Sequence, residues 1–252
     1  MRSSPSYTAF FREQIPAVGH RNQHRLRRLS VAIVGVGGVG SIVAQFLALS
    51  GVGELILIDP QAVEISNFNR SIAMSVADVG SPKAKVLANS LGRRPHLRVR
   101  PVVASIESAE AQEGLNNADV VCCCSNSVGS RLTTARAAME RGLTCVSAGV
   151  ADARSTLTAR VLVWKPLSTL ACEGCFQPFD TTQERVTRSS RGVVLPTVAG
   201  VVGAIAAHAI IEPFLLLEGA KTHNLCLVDM TTFSVESLIV RKRNGCCLCT
   251  PR

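Results

Sequence analysis

A chain of 252 residues, 47% apolar and 18% charged, is long enough to bury a large core and too apolar to remain disordered. One Trp and one Tyr offer no stacking platform for single-stranded nucleic acid, and no recognition motif accompanies the net charge of +9, so nucleic acid is not expected as a partner. The charge suits either a soluble basic surface or steering toward an acidic protein or a polyphosphate.

Residues 1–29 read as an N-terminal helical arm, with the densest basic patch at Arg21–Arg28. Residues 1–20 hold Arg12, Glu13 and two prolines without an apolar segment, so no secretory signal is expected. A βαβ unit follows, with strands predicted near 31–35 and 54–58 and a helix from Gly38 to about Leu49. Between strand and helix lie Gly35, Gly37, Gly38, Val39 and Gly40 in the sequence GVGGVG. Such glycines permit a tight turn and close approach to phosphates, and the helix presents its positive N-terminal end there. Asp59 closes the second strand, where a carboxylate takes ribose hydroxyls. Alone, these features describe NAD and FAD oxidoreductases equally well. The loop from Pro60 to Gly80 then carries Asn67, Asn69 and Arg70, and Lys83–Leu91 begins a second helix. Arg70 and Lys83 suit a triphosphate better than a nicotinamide.

Further strands are predicted at Leu97–Val103, Ala118–Cys124 and Leu143–Ser147, with a helix at about 129–141. This alternation implies an α/β fold, a Rossmann-like doubly wound sheet that is parallel in its N-terminal part. The pattern then changes. Ser155–Val163 alternates like an exposed strand, and residues 165–191 are loop-like. Val193–Ile211 is almost wholly apolar and nearly long enough to span a membrane. Pro196 near its start and Glu212-Pro213 at its end favour a helix crossing the core, so no membrane is expected, and His208 reads as a core or interface residue. His223–Asp229 and Thr232–Val240 read as two strands joined by a short turn, added antiparallel to the sheet. Without an internal repeat or a clear linker, residues 30–252 read as a single domain.

Ten cysteines in a chain without a visible leader favour reduced thiols and a cytoplasmic setting. Cys172 and Cys175 form one CxxC pair, and Cys246 and Cys249 another, with Cys247 between them. Two such pairs complete a tetrahedral thiolate site for structural Zn2+. The alternative is a redox dithiol or unrelated free thiols. Cys122, Cys123, Cys124, Cys145 and Cys226 read as small buried hydrophobes.

Taken in order, the GVGGVG loop, Asp59, the Asn67-Phe68-Asn69-Arg70 tetrapeptide, Lys83 within GSPKAK and the paired CxxC motifs resemble the ubiquitin-activating-enzyme-like adenylyltransferases of the MoeB and ThiF type. VAIVGVGGVGS at Val31–Ser41 and LPT at Leu195–Thr197 are also similar to the activator of the ubiquitin-fold modifier. The resemblance covers about residues 30–250. It implies ATP-dependent adenylation of the C-terminal carboxylate of a small carrier protein or peptide, with release of pyrophosphate, by a homodimer. It further implies that Asp59 takes the ribose, that the glycine loop lines the nucleotide, that Arg70 and Lys83 stabilise phosphate charge, and that Asn67 helps position the nucleotide. Arg12 is a candidate arginine finger acting in trans, although family members place that arginine directly before Gln and Glu13 intervenes here.

Two departures matter. Asn126-Ser127 stands where the family has Asp-Asn, and that Asp helps hold Mg2+. An amide offers one oxygen without the charge a hard cation prefers, so a non-catalytic partner subunit or scaffold is the alternative reading. Thioester-forming members also carry a cysteine in the crossover loop before the long helix. Residues 176–195 contain none, and Arg191 or its neighbours occupy that region, so covalent transfer at the usual position is not expected. The end of the chain just after the second CxxC implies that the domain recruiting a conjugating enzyme in large relatives is missing.

Overall fold

The computed structural model describes residues 6–150, 157–176, 194–216 and 223–249. The start of the arm, the first residues of the strand expected from Ser155, the stretch of the crossover loop with Arg191 and the last three residues of the basic tail lie outside the described residues.

Strands β1 (Ser30–Val34) and β2 (Glu54–Ile58) are short apolar runs buried on both faces, as central parallel strands require. With β3 (Arg98–Val102), β4 (Val120–Cys123), β5 (Thr144–Val150), β6 (Thr158–Trp164), β7 (Leu225–Asp229) and β8 (Ser234–Leu238) they form an eight-stranded sheet in the order β3-β2-β1-β4-β5-β6-β7-β8. β1 to β5 pair in parallel, and β6, β7 and β8 are added antiparallel. The fold is the α/β class that the strand and helix pattern implies. Chain order reverses between β1 and β4, where α/β sheets open a crevice for ligands.

Alternation along the strands feeds two cores. Val31, Ile33, Leu55 and Leu57 face one side, packed by α4 (Gly38–Leu49), α5 (Lys83–Leu91) and the apolar helix Pro196–Ile211. Ala32, Val34, Ile56 and Ile58 face the other, packed by α6 (Ala109–Gly114) and α7 (Val128–Arg141). The described part of the arm holds α1 (Tyr7–Phe10), α2 (Ile15–Val18) and α3 (His20–Leu26), which completes the helix numbering with Pro196–Ile211 as α8. The arm docks on the C-terminal end of α4: the Tyr7 hydroxyl donates to the Gly51 carbonyl at 2.7 Å, and the Gln14 and Gln23 amides donate to the Ser50 carbonyl at 2.8 and 3.1 Å.

α8 has the length and hydropathy of a spanning helix over Pro196–Phe214, yet Val198, Ala199, Val202, Ala206 and Ile210 sit in the core against α4, β5 and β6. His208 is exposed on the side of α8 turned away from that core, so of its two expected places the core is excluded. β5 also runs three residues past its expected end. Ala148, Gly149 and Val150 find partners in Val161, Arg160 and Ala159 of β6, beyond the end of the β4 pairing. α6 was not anticipated. Ser108 caps it, its hydroxyl accepting the Ala111 N–H at 3.2 Å.

α4 and α8 approach closely at Gly203, where a β-carbon would meet the Ile42 side chain at 2.7 Å and the Val39 carbonyl at 3.2 Å. A β-branched neighbour and a backbone oxygen cannot retreat. Gly203→Val is therefore expected to cost about 1–3 kcal/mol in urea unfolding. At Gly200 a β-carbon meets nothing within 4 Å, so Gly200→Ala is expected to be neutral or stabilising by up to about 1 kcal/mol.

Candidate functional site

A cleft of about 470 Å³ opens at the carboxyl ends of β1, β2, β4 and β5. Its floor is the glycine loop. Gly35 has φ +86°, and a β-carbon there would press on the Ser125 N–H at 2.9 Å, so both conformation and space demand glycine. A β-carbon at Gly40 would collide with the Gly35 carbonyl. Gly37 is different: a β-carbon meets nothing within 4 Å, which leaves bare backbone facing the cleft at the N-terminus of α4. Gly38 and Val39 also line the cleft. Such a surface accepts an anion through backbone N–H groups and the helix dipole.

Asp59 is buried, and one carboxylate oxygen accepts the Val36 N–H while the other accepts the Gln61 N–H, each at 2.8 Å. Gln61 in turn accepts the Lys83 ammonium at 2.8 Å, and Lys83 is itself only 6% exposed at the start of α5. Arg70 lies over the loop, its aliphatic stem so close that a β-carbon on Gly38 would meet it at 2.9 Å. Its guanidinium donates to the Ser66 carbonyl and to Asn69, both at 2.7 Å. Asp59, Arg70, Lys83 and Asn126 all line the cleft. Asn67 does not. Its side chain turns into the 3-10 turn Ile65–Asn67, where the amide oxygen accepts the Glu64 N–H at 3.1 Å. Arg12 also lies outside its own chain's cleft, pairing on the surface with Glu13 at 2.8 Å.

Two arginines not singled out by sequence complete the lining. Arg131 on α7 donates to the Ser147 hydroxyl at 2.6 Å and to the Ala148 carbonyl at 2.9 Å. Arg160 on β6 donates to Glu173 at 2.6 Å and lies over the Phe176 ring at 5.0 Å. Burial works against the Glu173 carboxylate, but Arg160, then Arg131, more than offset it and hold the acid below its ordinary range. Cys124 is half-buried and lines the cleft as well, whereas Cys122, Cys123, Cys145 and Cys226 are buried as expected.

Glu173 belongs to a second constellation. Cys172, Cys175, Cys246 and Cys249 converge with their sulfurs all within 4.8 Å of one another. Neighbouring Sγ pairs stand 3.9, 3.7 and 3.5 Å apart. Tetrahedral zinc with 2.3 Å bonds sets such an edge at about 3.8 Å, so the donor set and spacing fit that ion. Backbone N–H groups are aimed at the sulfurs, Arg243 to Cys175 and Leu248 to Cys246, both at 3.5 Å. Burial and then Cys175 raise the Cys172 thiol, and burial and then Cys246 raise Cys249 to about 12. Burial opposes the Cys246 thiolate too, but the N–H groups of Cys249 and Leu248 prevail and lower it to about 7. Cys247 is exposed and takes no place in the cluster.

The doubly wound sheet places a glycine-floored cleft suited to anions at its switch point, and beside it four cysteines converge in a cluster able to hold a metal. The chain belongs to the ThiF family, whose model matches residues 11–249. It is 32% identical over 238 residues to "Adenylyltransferase and sulfurtransferase MOCS3" of Drosophila ananassae, covering 94% of this chain and 52% of that protein. It is 29% identical over 230 residues to the "Sulfur carrier protein ThiS adenylyltransferase" of Escherichia coli (strain K12), covering 90% and 88%. This chain thus spans about half the length of the MOCS3 relatives it matches. E. coli MccB solved with ATP shares the fold, with a TM-score of 0.72 at 22% identity over 91% of this chain and 69% of that one.

The four cysteines predict one metal ion per chain by elemental analysis. Cys172→Ser is expected to abolish retention during dialysis and Cys247→Ser to leave it unchanged. Equal loss in both variants would reject the assignment.

Proposed function

We propose that this chain uses ATP to adenylate the C-terminal carboxylate of a small carrier protein or peptide, acting as a homodimer in the cytoplasm. The observation that supports this most is the single cleft lined jointly by the glycine loop, Asp59, Arg70 and Lys83. The sulfur carrier protein in the name of the E. coli relative supports the substrate class. The basic net charge of +9 suits an acidic carrier.

In the proposed reaction a carboxylate oxygen bonds to the α-phosphorus of ATP. The bond from that phosphorus to the bridging oxygen breaks, and its electron pair leaves with pyrophosphate. The protein's part is positioning and charge. Asp59 is locked by two backbone N–H groups, and each oxygen keeps a lone pair for a ribose hydroxyl. The backbone at Gly37 and the N-terminal end of α4 meet the phosphates. Lys83 exchanges Gln61 for a phosphate oxygen, and Arg70 brings a second cation from across the loop. Arg12 of a second copy is the proposed finger, and Asn67 acts only by shaping the turn that carries Arg70. No thioester to a crossover-loop cysteine enters the scheme. Zinc in the knuckle would be closed by four thiolates and take no part in the chemical step.

Magnesium, when bound, would neutralise the charge that builds on the departing pyrophosphate. On the protein side Asn126 would offer its amide oxygen. Among the described residues lining the cleft Asp59 is the acidic one, and its remaining lone pairs are those proposed for the ribose. That favours a second reading, in which the chain binds nucleotide and a catalytic partner without reacting itself.

Calorimetry is expected to show ATP binding and no NAD binding, with Lys83→Ala weakening ATP roughly 10- to 100-fold through the lost charged hydrogen bond. NAD binding in place of ATP would overturn the nucleotide assignment. Asn126→Asp separates the two readings. If wild type already shows magnesium-aided ATP binding, the catalytic reading holds and the variant gains only modestly. If only the variant gains it, the chain is the silent partner.

A further inference from the structure

Glu173 sits between the first two cysteines of the knuckle, in the 3-10 turn Glu173–Phe176, and is 1% exposed. A carboxylate that deep is costly unless it is paired. It pairs with Arg160 at 2.6 Å, and Arg131, which donates to the Ser147 hydroxyl at 2.6 Å, adds a second nearby positive charge. Both arginines line the nucleotide cleft. Phe176, directly after Cys175, covers the Arg160 guanidinium from the ring face. One cleft cation on the β5–β6 side, Arg160, is therefore held at both its charge and its face by a turn flanked by converging cysteine sulfurs.

Resting on the nucleotide reading above, we propose that Glu173 is a positioning residue that couples the metal knuckle to the cleft: with the four cysteines closed on a metal, Glu173 holds Arg160 where it meets the anionic ligand. When the metal leaves, the turn loosens and Arg160 loses its anchor. Coupling of this kind is reciprocal, so ATP must tighten metal retention by the same factor by which metal tightens ATP.

The test uses the whole chain. ATP affinity is measured by calorimetry on metal-loaded and chelator-stripped protein, and zinc retention is measured by competition with a chromophoric chelator, with and without ATP. Circular dichroism checks that each sample is folded. About a tenfold effect is expected in both directions. The double variant Arg160→Met/Glu173→Leu removes both partners without leaving a buried charge, and there the factor is expected to fall to about one. Glu173→Gln, with one metal still bound, is expected to give an intermediate value, since a neutral acceptor holds the guanidinium less strongly. If the double variant does not fold, Glu173→Gln decides. A wild type without coupling, coupling of full size in the variants, or a knuckle that takes no metal overturns the inference. Loaded wild type that fails to bind ATP instead removes the nucleotide reading, and this inference with it.

Discussion

The carboxylate of Asp59 is the constraint on which the cleft depends. It ends β2, yet one oxygen reaches across to the Val36 N–H in the loop after β1. The other turns the chain at Gln61, and Gln61 receives Lys83 from the start of α5. One buried acid therefore fixes the glycine loop, the turn after β2 and, through Gln61, the Lys83 ammonium. The backbone N–H groups make the arrangement affordable, since an uncompensated carboxylate at 4% exposure would destabilise the fold. Any ribose hydroxyl meets an acceptor that is already oriented.

Much of this was legible in the residues. The apolar runs at β1 and β2, the glycines between β1 and α4, and the acid closing β2 each carry a local cause that survives folding. So do the CxxC spacings, because a knuckle needs only two local turns and a means of bringing them together. What the sequence could not disclose came from long-range pairing. Arg160 reaches the cleft because β6 pairs antiparallel with β5, opposite Gly149. Arg131 reaches it because Ser127 starts α7 at the mouth, one turn before. Neither arginine has a neighbour in sequence that marks it. Asn67 is the opposite case. It sits in a recognisable tetrapeptide, but its amide oxygen is spent on a local cap, the competition with backbone that Asn side chains commonly enter.

The cleft has two buried acids of unlike design. Asp59 is held by N–H groups and stands at the cleft itself, where it keeps lone pairs to offer. Glu173 is held by arginines and lies behind the wall. An acid placed near an anion site lowers the attraction it offers, so Glu173 has a cost in affinity as well as in desolvation. Its benefit is geometric. A guanidinium on a long side chain loses several rotatable bonds when it binds, and a charged partner at 2.6 Å removes most of that freedom in advance.

The same trade explains where the metal site sits. A zinc ion closed by four thiolates would have no open position for substrate, so any influence on the cleft would travel through protein. Here the route is short. The residue between two ligands is itself the counter-ion of a cleft arginine, and the residue after them is the ring on which that arginine lies. A knuckle elsewhere on the surface would stabilise its own loop and nothing more. Placed under β6, a metal-closed knuckle would stiffen the side of the cleft where the sheet has passed from parallel to antiparallel pairing. The parallel half gets its rigidity from helices packed on both faces. The antiparallel half has α8 on one face, and on the other the cysteine cluster takes the place a helix would fill.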